Sequence, residues 1–212
     1  MKASTQPLAN RTTPRRRWRL ALASLPLFLA VQWPPLAIAG QVTPPTVPDN
    51  LQVPSGNVAF LVGHAKGTQD YICQPSGESL AWTFVEPQAT LFDDEEKQII
   101  THFLSPNPAE SGTARATWQD SHDTSTVWAK MTASSSDPNF VAAGAIPWFL
   151  LQVVGSQAGP TDGQTLIPTT YIQRLNTMGG IAPTTGCAQS TDVGAKALVP
   201  YTADYFFYMS IH

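Results

Sequence analysis

From residue 57 onward the chain alternates between apolar and polar positions. Residues 58–62 and 68–74 read as two strands. Period-two spacing in the second puts Gln69, Tyr71 and Cys73 on one face and Asp70 and Ile72 on the other. Gly63 and Gly67 bound the interval between them and predict a turn there. Residues 79–85 form a third strand, with Leu80, Trp82 and Phe84 on one side and Pro87 ending it. Residues 93–104 carry a different pattern. Asp93, Asp94, Glu95 and Glu96 precede Ile99, Ile100, Phe103 and Leu104. Acids in a first turn suit the helix dipole, and the apolar residues fall on one side, so a short helix is predicted, stopped by Pro106 and Pro108.

Residues 113–118 and 125–131 are two more strands around the polar turn 119–124. The most apolar run, residues 145–154, predicts a central strand entered at Pro147, since proline is tolerated at a strand's start. Residues 166–175 follow as a strand, residues 178–187 are irregular, and residues 203–211 form a final aromatic strand. Seven to nine short strands with one short helix predict a mostly β domain, an antiparallel sandwich or barrel. The βαβα alternation of a doubly wound sheet is absent.

The segment ahead of this domain is of another kind. Residues 1–39 hold Lys2, Arg11, Arg15, Arg16, Arg17 and Arg19 and no acid, then an apolar run from Leu20 to Trp33, then Pro34-Pro35 and Ala37-Ile38-Ala39. A basic start, an apolar middle and an A-x-A site are the parts of a secretory signal, with cleavage expected before Gly40. The apolar run is shorter than the ~20 residues that a membrane-spanning helix needs. A secreted or periplasmic location follows as an expectation, without a membrane span in the mature form. Residues 40–54 are rich in proline and predict an extended leader, and residues 55–212 the single β domain.

Loss of that segment changes the charge. Of 12 basic residues six leave with it, so six remain against 15 acids, a net charge of −9. Such a chain is a poor partner for nucleic acid, whose affinity comes from neutralising phosphates. Two cysteines occur, Cys73 and Cys187. In an oxidising compartment an isolated pair is most simply a disulfide, and neither has the C-x-x-C neighbour of a redox or metal pair.

Several spaced groups in the mature part resemble the domain of unknown function 3455 family, secreted proteins of bacteria and fungi. They are Val53-Pro54-x-Gly56, Gln69-x-Tyr71-x-Cys73, Trp82 with Pro87-x-Ala89-x-Leu91, and His102-Phe103. They continue with Ala145-Ile146-Pro147-Trp148-x-Leu150, Ile172-Gln173-Arg174-x-x-Thr177-x-Gly179-Gly180 and Gly186-Cys187. The last is Val199-Pro200-Tyr201-x-Ala203-x-Tyr205-x-Phe207-Tyr208. The resemblance singles out His102 but implies no agreed activity. Where the family often has an Asp-Gly-Ser turn, this chain has Asp123-Thr124-Ser125, and threonine tolerates positive φ poorly.

Candidate chemistry is sparse. No nucleophile elbow, zinc-helix motif or phosphate- or dinucleotide-binding loop is present, and no cofactor or metal is expected. His102 is the candidate general base, with Asp120, Asp123 or His122 as partners, against a reading as a structural histidine. Gln173 and Arg174 lie inside an apolar strand and point to opposite faces. A buried Arg174 needs a carboxylate, several carbonyls, or an anion in a pocket. Trp148, Tyr201 and Tyr205 are candidate binding residues, or core. Because Tyr205 and Phe207 alternate with Phe206 and Tyr208, the last strand is expected to be covered on both sides. The leading expectation is a non-catalytic secreted domain that binds a small apolar or carbohydrate ligand. A hydrolase or metalloenzyme using His102, and a structural envelope or stress protein, are the alternatives.

Overall fold

A computed structural model describes residues 42–211; the signal-like segment of residues 1–39 lies outside them. Eight strands follow one another: β1 (Asn57–Ser76), β2 (Ser79–Phe92), β3 (Gln98–Asn107), β4 (Thr113–Asp120), β5 (Thr126–Ser135), β6 (Trp148–Gln157), β7 (Thr169–Gly179) and β8 (Lys196–Ser210). Each pairs antiparallel with the next, and β8 pairs with β1 along nearly its whole length, so the sheet closes into a barrel. Continuous pairing around the ring decides barrel over sandwich, although β2 and β3 are joined over only part of their length. The only helical pieces among the described residues are single 3-10 turns.

The predicted helix over residues 93–104 is instead a turn followed by β3. The Asp93 carboxylate accepts hydrogen bonds from the Glu95 and Lys97 amides at 3.0 and 2.9 Å, and Glu96 takes φ 59. A side chain that satisfies the backbone locally competes with helix formation. The β-branched run Ile99-Ile100-Thr101 then suits a strand, with Ile100 and His102 turned inward and buried. The predicted turn between Gly63 and Gly67 is also absent, because β1 runs through both. A Cβ on Gly67 would stand 2.1 Å from the Gln88 carbonyl oxygen, so this glycine serves a close approach of β1 to β2.

Pro87 does not end β2 either. Pairing of β2 with β3 covers only Ala89 to Phe92, so Pro87 lies where β2 is bonded to β1 alone and a missing N–H costs nothing. Above that level β2 and β3 part.

Inward-facing side chains fill the barrel: Leu91, Ile100, Trp118, Val127, Ile172, Tyr205 and Phe207 belong to one buried cluster. Leu166, from the loop before β7, closes one end, and its amide donates to the Ser125 hydroxyl at 3.0 Å. A second cluster lies on the outer wall. There Phe206, Tyr208 and Leu175 are covered by Val47 and Leu51 of the leader and by Val141. Strand β8 is thus buried on both faces, and the extended leader is packed on the barrel. Gln173 is held beneath it: Nε2 donates to the Leu51 carbonyl at 2.7 Å, and Oε1 accepts from the Tyr208 hydroxyl.

Cys73 and Cys187 form a disulfide with Cα atoms 5.4 Å apart. It ties the β7–β8 loop to β1, beside backbone bonds from the Cys73 amide to the Ala195 carbonyl and from the Gly194 amide to the Cys73 carbonyl, both 2.9 Å.

Candidate functional site

The end of the barrel opposite Leu166 holds a cavity of about 230 Å³. Every strand contributes to its wall, among them Gln69 of β1, Phe84 and Pro87 of β2, His102 and Leu104 of β3, and Trp118 of β4. Phe149 of β6, Arg174 of β7 and Tyr205 of β8 complete the ring, with Met131 of β5 at the rim. The space exists because Ala114, Ala116 and Ala129 occupy inward positions where the opposite end carries large side chains. Exposed Phe84 and Met131 mark its opening.

Arg174 is the buried charged group of this cavity, only 7% exposed. Its Nε and Nη2 both donate to the Pro147 carbonyl, at 3.3 and 2.9 Å, and its guanidinium lies 3.8 Å from the centre of the Phe149 ring. Among the described residues no carboxylate forms an ion pair with it. Tyr205, beside the guanidinium, shares a 3.2 Å hydrogen bond with the Tyr201 hydroxyl. Burial pushes both phenols up, Tyr201 further by the neighbouring Tyr205, so both stay protonated.

His102 is 3% exposed, and burial pushes it down to about 3, with the Arg174 charge acting in the same direction. It is therefore neutral at pH 7. Its Nδ1 donates to the Thr117 carbonyl at 2.8 Å, and its ring stacks on Trp118 at 4.3 Å between centroids. Two further donors stand in the wall without a hydrogen-bond partner: Nε2 of Gln69 and Nε1 of Trp118. The Gln69 amide lies beside the Tyr201 hydroxyl.

With this geometry in place, the comparisons with known proteins speak to one point. Residues 54–209 match the family described as "Protein of unknown function (DUF3455)". The chain belongs to this family. No curated protein and no solved structure gives a significant match. For a DUF3455 chain the chemistry therefore has to be read from the site itself.

The structure gathers some of the candidates and separates others. His102, Arg174 and Tyr205 line one cavity, and Tyr201 touches it through Tyr205. Trp148 lies on the outer wall, in contact with Phe140 at 5.9 Å between centroids. Asp120 and Asp123 sit in the turn at the closed end. Asp120 accepts from the His122 and Asp123 amides at 2.8 and 2.7 Å. Asp123 accepts from the Ser125 amide and hydroxyl at 2.8 and 2.6 Å, and from the Thr165 amide at 2.9 Å. These bonds hold the Asp123 carboxylate well below its usual range against the opposing effect of burial. Neither aspartate bonds to His102, and among the described residues no three His, Cys, Asp or Glu side chains are grouped to hold a metal ion.

Thr124 in that turn takes φ 58, the left-handed conformation that threonine resists. The turn is enforced from outside. A Cβ on Gly159 or Gly163 would stand 1.9 or 2.3 Å from the Asp123 carbonyl oxygen.

Two cavity residues escaped the sequence reading as site residues. Gln69 belongs to a face that looks like ordinary strand alternation, and Trp118 looks like core. Only a polar residue at an inward position, as Gln69 is, offered a signal.

Proposed function

We propose that this protein is an exported, non-catalytic binding domain that holds one small, mainly apolar molecule in the mouth of its barrel. The observation that carries this reading is the cavity of about 230 Å³ ringed by all eight strands. Eight-stranded barrels are just wide enough to be filled by side chains or to hold one small ligand. Here the alanines at positions 114, 116 and 129 leave one end unfilled. An engineered cavity of about 150 Å³ in another protein accepts benzene. The space here suits a bicyclic aromatic group or a medium-length alkyl chain.

An apolar occupant is favoured over a carbohydrate. A sugar presents hydroxyl groups around its whole edge, whereas Leu104, Met131, Phe149 and Leu151 line much of the wall. One face of the Trp118 ring is already taken by His102. The hydrolytic reading lacks support, because neutral His102 has Nδ1 committed to a backbone carbonyl and no carboxylate to orient it. Export is supported by the pattern of residues 1–39 and by the Cys73–Cys187 disulfide, a bond that persists in oxidising compartments.

The test is a thermal-shift and calorimetric screen of the purified protein against aryl compounds, alkyl chains and small saccharides. Apolar compounds are expected to raise the melting temperature and alter tryptophan fluorescence. Ala129→Trp, which fills the cavity, is expected to abolish both responses. A screen with no response, or an Ala129→Trp variant that responds as the parent does, would remove the cavity as a site and leave the structural envelope role.

A further inference from the structure

We infer that the molecule held in this cavity carries a single negative charge and that its carboxylate docks on the Arg174 guanidinium. The inference rests on the ligand-binding reading above and specifies the class of ligand. It starts from an imbalance. Arginine offers five N–H donors in a planar fork. At Arg174 two groups, Nε and Nη2, spend themselves on the one Pro147 carbonyl, and one face of the fork lies on Phe149. A cation taken out of water without a counter-ion is unfavourable on its own.

The neighbouring polar atoms deepen the imbalance rather than correct it. Gln69 is 4% exposed and Trp118 is 1% exposed, and each presents an N–H with no acceptor. Buried donors in native proteins are nearly always partnered. A cavity with one fixed positive charge whose fork is only partly used complements a group that only accepts. A carboxylate is such a group: it has two oxygens with about four acceptor positions, and it meets a guanidinium in paired, parallel hydrogen bonds.

The charge count selects a monoanion. Arg115 also borders the cavity, but Glu110 holds it through two hydrogen bonds of 2.8 and 2.7 Å. Lys130 is exposed at the rim. One uncompensated charge remains within, too little for a phosphate dianion. The apolar wall fixes the rest of the molecule as a compact hydrocarbon body. The class is therefore a monocarboxylic acid with an aryl or medium-chain alkyl body.

The decisive experiment pairs each acid with its neutral amide: 2-naphthoate with 2-naphthamide, and octanoate with octanamide, titrated calorimetrically into the purified protein at pH 7. Acetate serves as the arm that carries the charge without the body. The expected result is at least tenfold tighter binding of an acid than of its amide, with acetate far weaker than either acid. In Arg174→Gln the acid-to-amide ratio is expected to fall towards one. Acid and amide binding equally well would overturn the inference and leave the binding reading standing. Acetate binding as well as the larger acids would overturn the assignment of an apolar body. If none of the five compounds bound, both readings would fail together. The acid-to-amide ratio of the unmodified protein decides the matter even if Arg174→Gln does not fold.

Discussion

Replacing Arg174 with methionine separates a residue that holds the fold from one that waits for a ligand. Removing the cation recovers a desolvation cost of several kcal/mol. Against that stand the two bonds to the Pro147 carbonyl at 3.3 and 2.9 Å, each of a kind worth ~1.5–3 kcal/mol. The stacking on Phe149 adds about 2 kcal/mol when dry. Methionine refills most of the volume, and its sulfur keeps a favourable contact with the ring. Buried ion pairs replaced whole by apolar side chains of similar size elsewhere give changes from neutral to a gain of up to about 4 kcal/mol. The lost bonds and stacking, with the Pro147 carbonyl left unpaired, offset the recovered desolvation, so the expected outcome is near neutrality, within about 1 kcal/mol either way, or at most roughly 4 °C in melting temperature for a domain of this size. Urea unfolding followed by tryptophan fluorescence, with the disulfide intact and the m-value unchanged, measures it. Gln173→Leu is the internal control, one residue away and equally buried. It strands the Leu51 carbonyl and the Tyr208 hydroxyl and is expected to lose ~2–4 kcal/mol. A loss of more than about 1 kcal/mol in Arg174→Met would show that the arginine is structural, and the reasoning from its missing counter-ion would fall.

Three other outcomes follow from the same structure. His102 titrates near 3 when folded and near 6.5 when unfolded, so the unfolded chain binds the extra proton between those values. Its contribution is complete above pH 7 and declines as the pH falls, by roughly 3 kcal/mol at pH 4; His102→Gln should flatten that limb of the stability curve, and an unchanged limb refutes the assignment. The disulfide spans a sequence separation of 114 residues, and its removal in Cys73→Ala/Cys187→Ala should cost ~4–5 kcal/mol in a denaturant titration, a loss under 1 kcal/mol being the contrary result. Thr124→Gly relieves a left-handed threonine and should stabilise by ~0.5–1 kcal/mol, whereas any destabilisation in thermal unfolding would mean that the turn gains from the threonine side chain.

The strand-rich fold and the cysteine pairing were legible because they rest on local pattern and on a count of two. The alternation around Tyr205 and Phe207 showed directly that β8 has two buried faces. The identity of β3 was not legible. Its apolar residues, Ile99, Ile100, Phe103 and Leu104, satisfy a helical stripe as well as a strand, and the deciding event is a carboxylate of Asp93 bonding two amides. Proline 87 misled for a related reason, since its missing N–H matters only if β3 lies alongside, and that depends on register. The cavity was further from reach. Three alanines on two strands look unremarkable until closure of the barrel brings them into the wall of one cavity with Arg174. The placement of Asp120 and Asp123 away from His102 likewise follows from hairpin length, not from residue type.

The two ends of the barrel follow opposite rules. At the closed end the polar groups of the turn are partnered. Asp120 and Asp123 collect amide and hydroxyl donors, glycines 159 and 163 admit close backbone contact, and Leu166 seals the interior. At the open end β2 leaves β3 after four paired positions, small residues replace large ones, and two buried donors stand idle beside a lone cation. Consistent local choices are what give a fold its stability, and departures from them concentrate where a protein acts. The disulfide lies on the open side, fastening the β7–β8 loop to β1 beside the strand that separates. That placement adds a covalent tie at the end where β2 and β3 are unpaired and side-chain packing is sparse.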